Sequence, residues 1–234
     1  MTTLAALQPG YLPWTGYFDQ MMRADVFVHY DDVQFDKNGW RNRNRLKGPQ
    51  GPVWLTVPVR HDGLVRRIDE IRIDNSQPWP RRHVATLNQL LARTAYGDAY
   101  LPELSALLLQ GWNRLVDLDL AVIDLIAGWL GITTPTPRAS ALGIGGDRND
   151  RLLALCRHFG ANRYLSGAAA RDYLDVPRFA AAGIAVEFQD FVHPVHPQRF
   201  GPFVSHLAAI DLIANAWPPG WRLADHPFAT LGQP

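Results

Sequence analysis

Cysteine is nearly absent: the chain holds one, Cys156, among 234 residues. A single thiol cannot build an intrachain disulfide framework, so the fold rests on its core, and a reducing compartment is the matching environment. Cys156 closes the apolar run Leu152-Leu153-Ala154-Leu155, where it reads as a small core residue on the inner face of a helix rather than as a nucleophile. Net charge is nearly absent too, at +1, which leaves no global field drawing the chain to nucleic acid or to a membrane surface. A phosphate-binding role would therefore need a local cluster. No apolar run reaches the roughly 20 residues that cross a bilayer. The nearest, Leu115 to Ile132, is interrupted by Asp117, Asp119 and Asp124. Met1 to Leu7 has no basic region ahead of its apolar residues and meets Pro9 almost at once, so it does not read as a secretory leader, and the expected location is the cytoplasm. Phosphate-cradling and nucleophile-elbow motifs are missing as well. Gly143-Ile144-Gly145-Gly146 lacks both the Lys-Ser/Thr of a P-loop and the spacing of a dinucleotide fingerprint, and no Gly-x-Ser-x-Gly occurs.

What is present is ample core material, 47% hydrophobic against 19% charged residues, arranged in alternating strand and helix patterns. Leu4 to Leu7 reads as a buried strand stopped by Gln8-Pro9-Gly10. Gly16 to Ala24 carries Phe18, Met21 and Met22 at helical spacing, and Asp25 to Tyr30 is rich in β-branched and aromatic residues. Strand, loop, helix and strand in so short a stretch make a βαβ unit, hence a parallel sheet whose ligands gather at the carboxyl ends of the strands. Val53 to Val59 and Ile68 to Ile73 read as further strands paired near an edge. Residues 79–132 read as mainly helical, and Thr133 to Pro137 as a stiff break. Asn149 to Phe159, Tyr164 to Gly167, Arg178 to Ala182 and Ile184 to Phe188 then return to the α/β pattern. The expected organisation is one domain over residues 1–217 with a C-terminal tail at 218–234.

Three constellations could carry chemistry. The stretch Gln8 to Phe18 sets Tyr11, Trp14 and Tyr17 between paired prolines and glycines, a stiff loop able to present aromatic faces and a helix's free N–H groups to a ligand. Asp31-Asp32-Val33-Gln34 follows the second strand. Neighbouring strand residues face opposite ways, so one aspartate turns to a cleft; Asp32 is the one expected there, able to accept a proton from an attacking amine or to bind a ribose hydroxyl or a metal, with Asp31 and Gln34 beside it. Trp40-Arg41-Asn42-Arg43-Asn44, inside the basic stretch Lys37 to Lys47, alternates guanidinium forks with amides, a set suited to phosphate or carboxylate and to neutral oxygens. The same basic residues beside an aromatic keep nucleic acid as a rival partner. His83 and His193 are further acid–base candidates, and Ser166 ends a strand. His193-Pro194-Val195-His196 spaces two histidines, but its prolines preclude a regular helix, and no metal is expected.

At these residues the chain resembles the WbqC-like family. The resemblance runs from Gln8 to about Asn215 and is carried by Gln8-Pro9, Tyr11, Pro13-Trp14, Gly16-Tyr17-Phe18, Asp25-Val26, Asp31 to Phe35, Trp40 and Asn42-Arg43-Asn44. Support continues in Trp54 to Pro58, His83, Tyr164 to Gly167, Asp211 and Asn215. Two positions depart from the family pattern: Ala208 stands where a serine is expected and His196 where a tyrosine is. The resemblance implies a setting in surface polysaccharide synthesis, O-antigen included, and from that an enzyme transferring an acyl or aminoacyl group onto an amine. Its small-molecule substrate would be a nucleotide-linked amino sugar, with an acyl or aminoacyl carrier as donor. No cofactor is fixed by the residues, a nucleotide or nucleotide-linked sugar being the ligand class considered. The alternatives are a non-catalytic binding or accessory protein and a nucleic-acid-processing protein. The first βαβ unit is also similar to that of nucleotidyltransferase-like enzymes, which implies a Rossmann-like sheet flanked by helices. Their His-x-Gly-His signature is replaced here by Pro13-Trp14-Thr15-Gly16-Tyr17.

Overall fold

The computed structural model describes residues 1–37, 39–60 and 63–221. β1 (Thr3–Leu7), α1 (Thr15–Arg23) and β2 (Val26–His29) form the expected βαβ unit. Along β1 the side chains alternate between two cores, Leu4 and Ala6 on one face and Ala5 and Leu7 on the other, as a parallel sheet covered on both faces requires. α1 seals the Ala5 and Leu7 face with Tyr17, Phe18 and Met21.

The chain then leaves the sheet. β3 (Arg43–Gly48) and β4 (Gly51–Thr56) form a separate two-stranded antiparallel hairpin. The second strand expected in that region is not one: Ile68–Glu70 coils into a 3-10 turn, because Arg67 reaches Asp69 with two nitrogens and its own N–H donates to Glu70 Oε2 at 2.9 Å. Only a bridge between Val59 and Ile73 remains of the expected pairing. The middle segment is helical, as α2 (Trp79–Leu91), α3 (Gly97–Leu108) and α4 (Leu115–Trp129). None of the described helices is long and apolar enough to cross a membrane. The Thr133–Pro137 break runs along the outer edge of β2, where Phe27 N donates to Pro135 O at 3.0 Å and His29 N to Pro137 O at 2.9 Å.

α5 (Ala139–Leu142), α6 (Arg148–His158), β5 (Arg163–Ser166), α7 (Val176–Ala181), β6 (Ala185–Phe188) and α8 (Ala209–Ala216) complete the chain. All sheet pairings are parallel, in the order β2-β1-β5-β6, so the protein is an α/β fold with a Rossmann-like four-stranded sheet flanked by helices. One core fills the α1 to α4 and α8 side and a smaller one the α5 to α7 side. Strand order reverses between β1 and β5, the position where such sheets open a crevice.

Residues 189–207 form neither helix nor strand, yet they are tied down throughout. Gln198 Nε2 donates to Asp211 Oδ2 at 2.6 Å, His196 Nε2 lies 3.1 Å from the same oxygen, Arg199 reaches the Leu90 carbonyl at 2.9 Å, and Lys47 caps the carbonyls of Gly201 and Pro202. Most of the expected tail, from residue 222 onward, lies outside the described residues.

Candidate functional site

At the carboxyl edge of the sheet lies a cavity of about 990 Å³. Every sheet strand contributes to it. Ala6, Leu7 and Gln8 come from the end of β1, Tyr30 from that of β2, Gly167 from beyond β5, and Gln189 and Phe191 from beyond β6. The starts of α1, through Gly16 and Tyr17, and of α6, through Arg148 and Arg151, close the sides. Among the described residues its wall carries three arginines, Arg41, Arg148 and Arg151, and no aspartate or glutamate.

One end of the wall is aromatic. Trp14 stacks on His206 with centroids 5.5 Å apart and planes within 15°, and meets Phe191 edge-on at 5.3 Å and His193 at 5.2 Å. A Cβ on Gly16 would come within 2.3 Å of the Trp14 ring, so a glycine lets the indole fold over the helix start. His206 holds a left-handed backbone, φ 58°, unusual without a glycine. Bonds on both sides enforce it: its N–H donates to His193 Nε2 at 3.2 Å and its carbonyl accepts from Arg45 Nε at 3.3 Å. His206 Nδ1 lies 2.8 Å from Ser205 Oγ. Burial, with His206 and His196 nearby, lowers the His193 pKa to about 4, so that ring is neutral.

The family model described as the WbqC-like protein family matches residues 8–221. The chain belongs to the WbqC-like family. An uncharacterized protein of Mycobacterium tuberculosis (strain ATCC 25618 / H37Rv) is 33% identical over 218 residues, 92% of this chain and 94% of its own length. No solved structure matches the chain.

In this WbqC-like chain the cavity gathers Gln8, Trp14, Tyr17, Gln34, Trp40, Arg41 and Asn44 from the sequence-derived set. The remaining members of that set stand off the wall. Tyr11 is fully buried and bonds His83 Nδ1 at 2.9 Å; His83, itself buried, also engages the Thr56 backbone, so the pair joins the Gln8 to Phe18 loop to α2 and β4. Asp31 has no exposure; it accepts from Arg138 Nε at 2.8 Å and from Ser140 N and Oγ at 2.9 and 2.8 Å, fixing α5 to the end of β2. Asp32 accepts from Arg151 Nη2 with each oxygen at 2.7 Å, and through Arg151 it touches the wall indirectly. Arg43 is half-buried and lies over the Trp54 ring at 4.7 Å. His193 stands behind Trp14, and Ser166 is buried beneath Gly167 at the end of β5.

The Arg/Asn alternation serves the WbqC-like fold in a way its residue types did not announce. Arg41 Nη1 donates to the carbonyls of Gln8 and Pro9 at 2.8 and 3.1 Å, and Asn44 Nδ2 to that of Leu12 at 2.6 Å. Leu12 has φ 48°, so this amide secures a strained turn inside the site loop. Behind the loop, Tyr17 Oη bonds His29 Nδ1 at 3.1 Å, and burial lowers the His29 pKa to about 4. Asp119, on α4, is buried with neither oxygen hydrogen-bonded among the described residues; desolvation pushes its pKa well up, against a smaller downward pull from Arg41.

Tyr30, Arg148, Arg151, Tyr173, Phe191 and His206 line the cavity without having stood out in the sequence. Paired arginines at i, i+3 at a helix start were the available signal for two of them. Among the described residues no group of His, Cys, Asp and Glu is placed to share a metal ion.

Proposed function

We propose that this chain is an enzyme that transfers an acyl or aminoacyl group onto the amine of an anionic small molecule, with a nucleotide-linked amino sugar as the class that fits best. The cavity wall carries this reading, with three arginines and no carboxylate among its described residues, and the faces of Trp14, Tyr30 and Trp40. Guanidinium groups in a half-enclosed site favour phosphate, and flat aromatic faces suit a base or a sugar ring. The surface-polysaccharide setting implied by the resemblance would supply such amines.

The proton acceptor best placed in this reading is His206 rather than Asp32. Asp32 is closed onto Arg151, whereas the His206 ring lines the wall with Nδ1 held by Ser205 and Nε2 without a hydrogen bond among the described residues. As the amine nitrogen bonds the acyl carbon, His206 takes its proton. The bond from that carbon to the carrier breaks, and the proton passes to the departing group.

The test is turnover with a panel of nucleotide-linked amino sugars and activated acyl donors. His206→Ala should lower turnover by about 100-fold or more while substrate still binds. Unchanged turnover in that variant would remove His206 from the mechanism. Saturable binding with no transfer from any donor would favour a binding module, a reading that the neutralised Asp32 also supports. A polynucleotide reading draws little from the Lys37 to Lys47 stretch, whose Arg41, Arg45 and Lys47 spend donors on backbone carbonyls.

A further inference from the structure

We infer that a phosphate or diphosphate group of the ligand is taken by Arg148 and Arg151 at the start of α6, which directs the rest of the molecule toward Trp14 and His206. The inference rests on the anionic-ligand reading above and deepens it. The wall arginines differ in how much of their charge is already spent. Arg41 is committed: its Nη1 serves two carbonyls, and its Nε lies 3.4 Å from Asp36 Oδ1. Arg151 is committed on one side only. Asp32 takes Nη2, the guanidinium lies over the Tyr30 ring at 4.7 Å, and the buried Nε has no partner among the described residues. It is thereby rigid, and its Nη1, without a hydrogen bond among the described residues, is left for a ligand. Arg148 rests on the Tyr173 ring at 4.4 Å and has no carboxylate partner among the described residues.

These two side chains stand three residues apart on one helix, hence on one face, about 5 to 6 Å apart at their Cβ atoms, which suits one phosphate or two linked ones. The nearby carboxylates are occupied. Asp147 caps α6 by accepting from Asp150 N at 2.8 Å, and Asp150 pairs with Arg178. Tyr30 and Tyr173 come from the segments after β2 and β5, so the subsite spans the reversal in strand order.

The test is equilibrium binding to the full chain of uridine and adenosine diphosphates, their nucleosides, and inorganic pyrophosphate alone. The diphosphates and pyrophosphate should bind, and Arg148→Gln should weaken both by roughly tenfold while leaving any nucleoside binding unchanged. Arg148 is exposed, so this variant keeps the fold, which a thermal melt verifies. Arg151→Lys, which retains the charge but loses the fork, should weaken diphosphate more than pyrophosphate. Wild-type affinities in both variants, or no binding by any of these anions, overturn the inference. Pyrophosphate binding that depends on Arg148, in a chain showing no acyl transfer, would retain the subsite and sink only the transfer reading. Transfer to an amine that carries no phosphate, unaffected by Arg148→Gln, would do the reverse.

Discussion

Two kinds of buried ionisable residue pull the stability of this protein in opposite directions along the pH scale. Burial lowers the pKa values of His29 and His83 from 6.5 to about 4. The unfolded chain therefore binds protons below pH 6.5 that the folded chain refuses until about pH 4, so this stability is whole above 6.5 and is lost as the pH falls. The upper size is about 3 kcal/mol for each ring. Denaturant melts should show less acid destabilisation in His29→Gln than in the parent, and an equal acid loss in both would exclude His29 as a source. Asp119 acts the other way. Its folded pKa lies well above the ordinary 3.8, so the folded chain holds a proton that the unfolded chain releases, and stability drops as the pH rises past that value. Asp119→Asn keeps the neutral shape and should remove this loss, making the variant relatively more stable as the pH climbs from 3.8 through the folded pKa. An unaltered slope above pH 3.8 would mean that Asp119 ionises in the fold without cost.

At the scale of elements, the most instructive difference between sequence and structure is β3. Its Arg43-Asn44-Arg45 pattern looks like ligand chemistry, and its alternation is the pleat of a strand whose polar residues reach the carbonyls of neighbouring loops. A strand that gives the apolar core Leu46 and otherwise carries polar residues lacks the hydrophobic period that reveals strands, so residue type misdirects. The βαβ unit was legible because both faces of β1 are buried and Gln8-Pro9-Gly10 stops it sharply. The 3-10 turn at Ile68–Glu70 was not, since its cause is the side-chain capping by Arg67 and Glu70 rather than a period. Asn44 shows how this hairpin supports the site. Asn44→Ala leaves the Leu12 carbonyl without its amide donor and should cost about 1 to 3 kcal/mol in denaturant melts, with ligand affinity falling alongside as the strained turn relaxes. A stable variant with unchanged affinity would show that the turn holds itself.

For the molecule as a whole, the sequence placed the segments that end β1 and β2 at one sheet edge, because topology alone brings them there. It gave no sign of Tyr173, Phe191 and His206 on the far half of the wall, and of Arg148 only its spacing to Arg151, since this half meets β1 through the pairing of β5 and β6 on its other side. The segment 189–207 is the clearest case. By pattern it is a proline-studded loop, yet Asp211, Lys47 and the Leu90 carbonyl hold it at separate points. Fixing so long a segment carries a large loss of conformational entropy, and here the loss falls on folding rather than on ligand capture. An arriving ligand thus meets Phe191 and His206 already in place. Its association rate is set by diffusion and the entrance, and its residence time by the contacts it makes rather than by a loop that must close behind it.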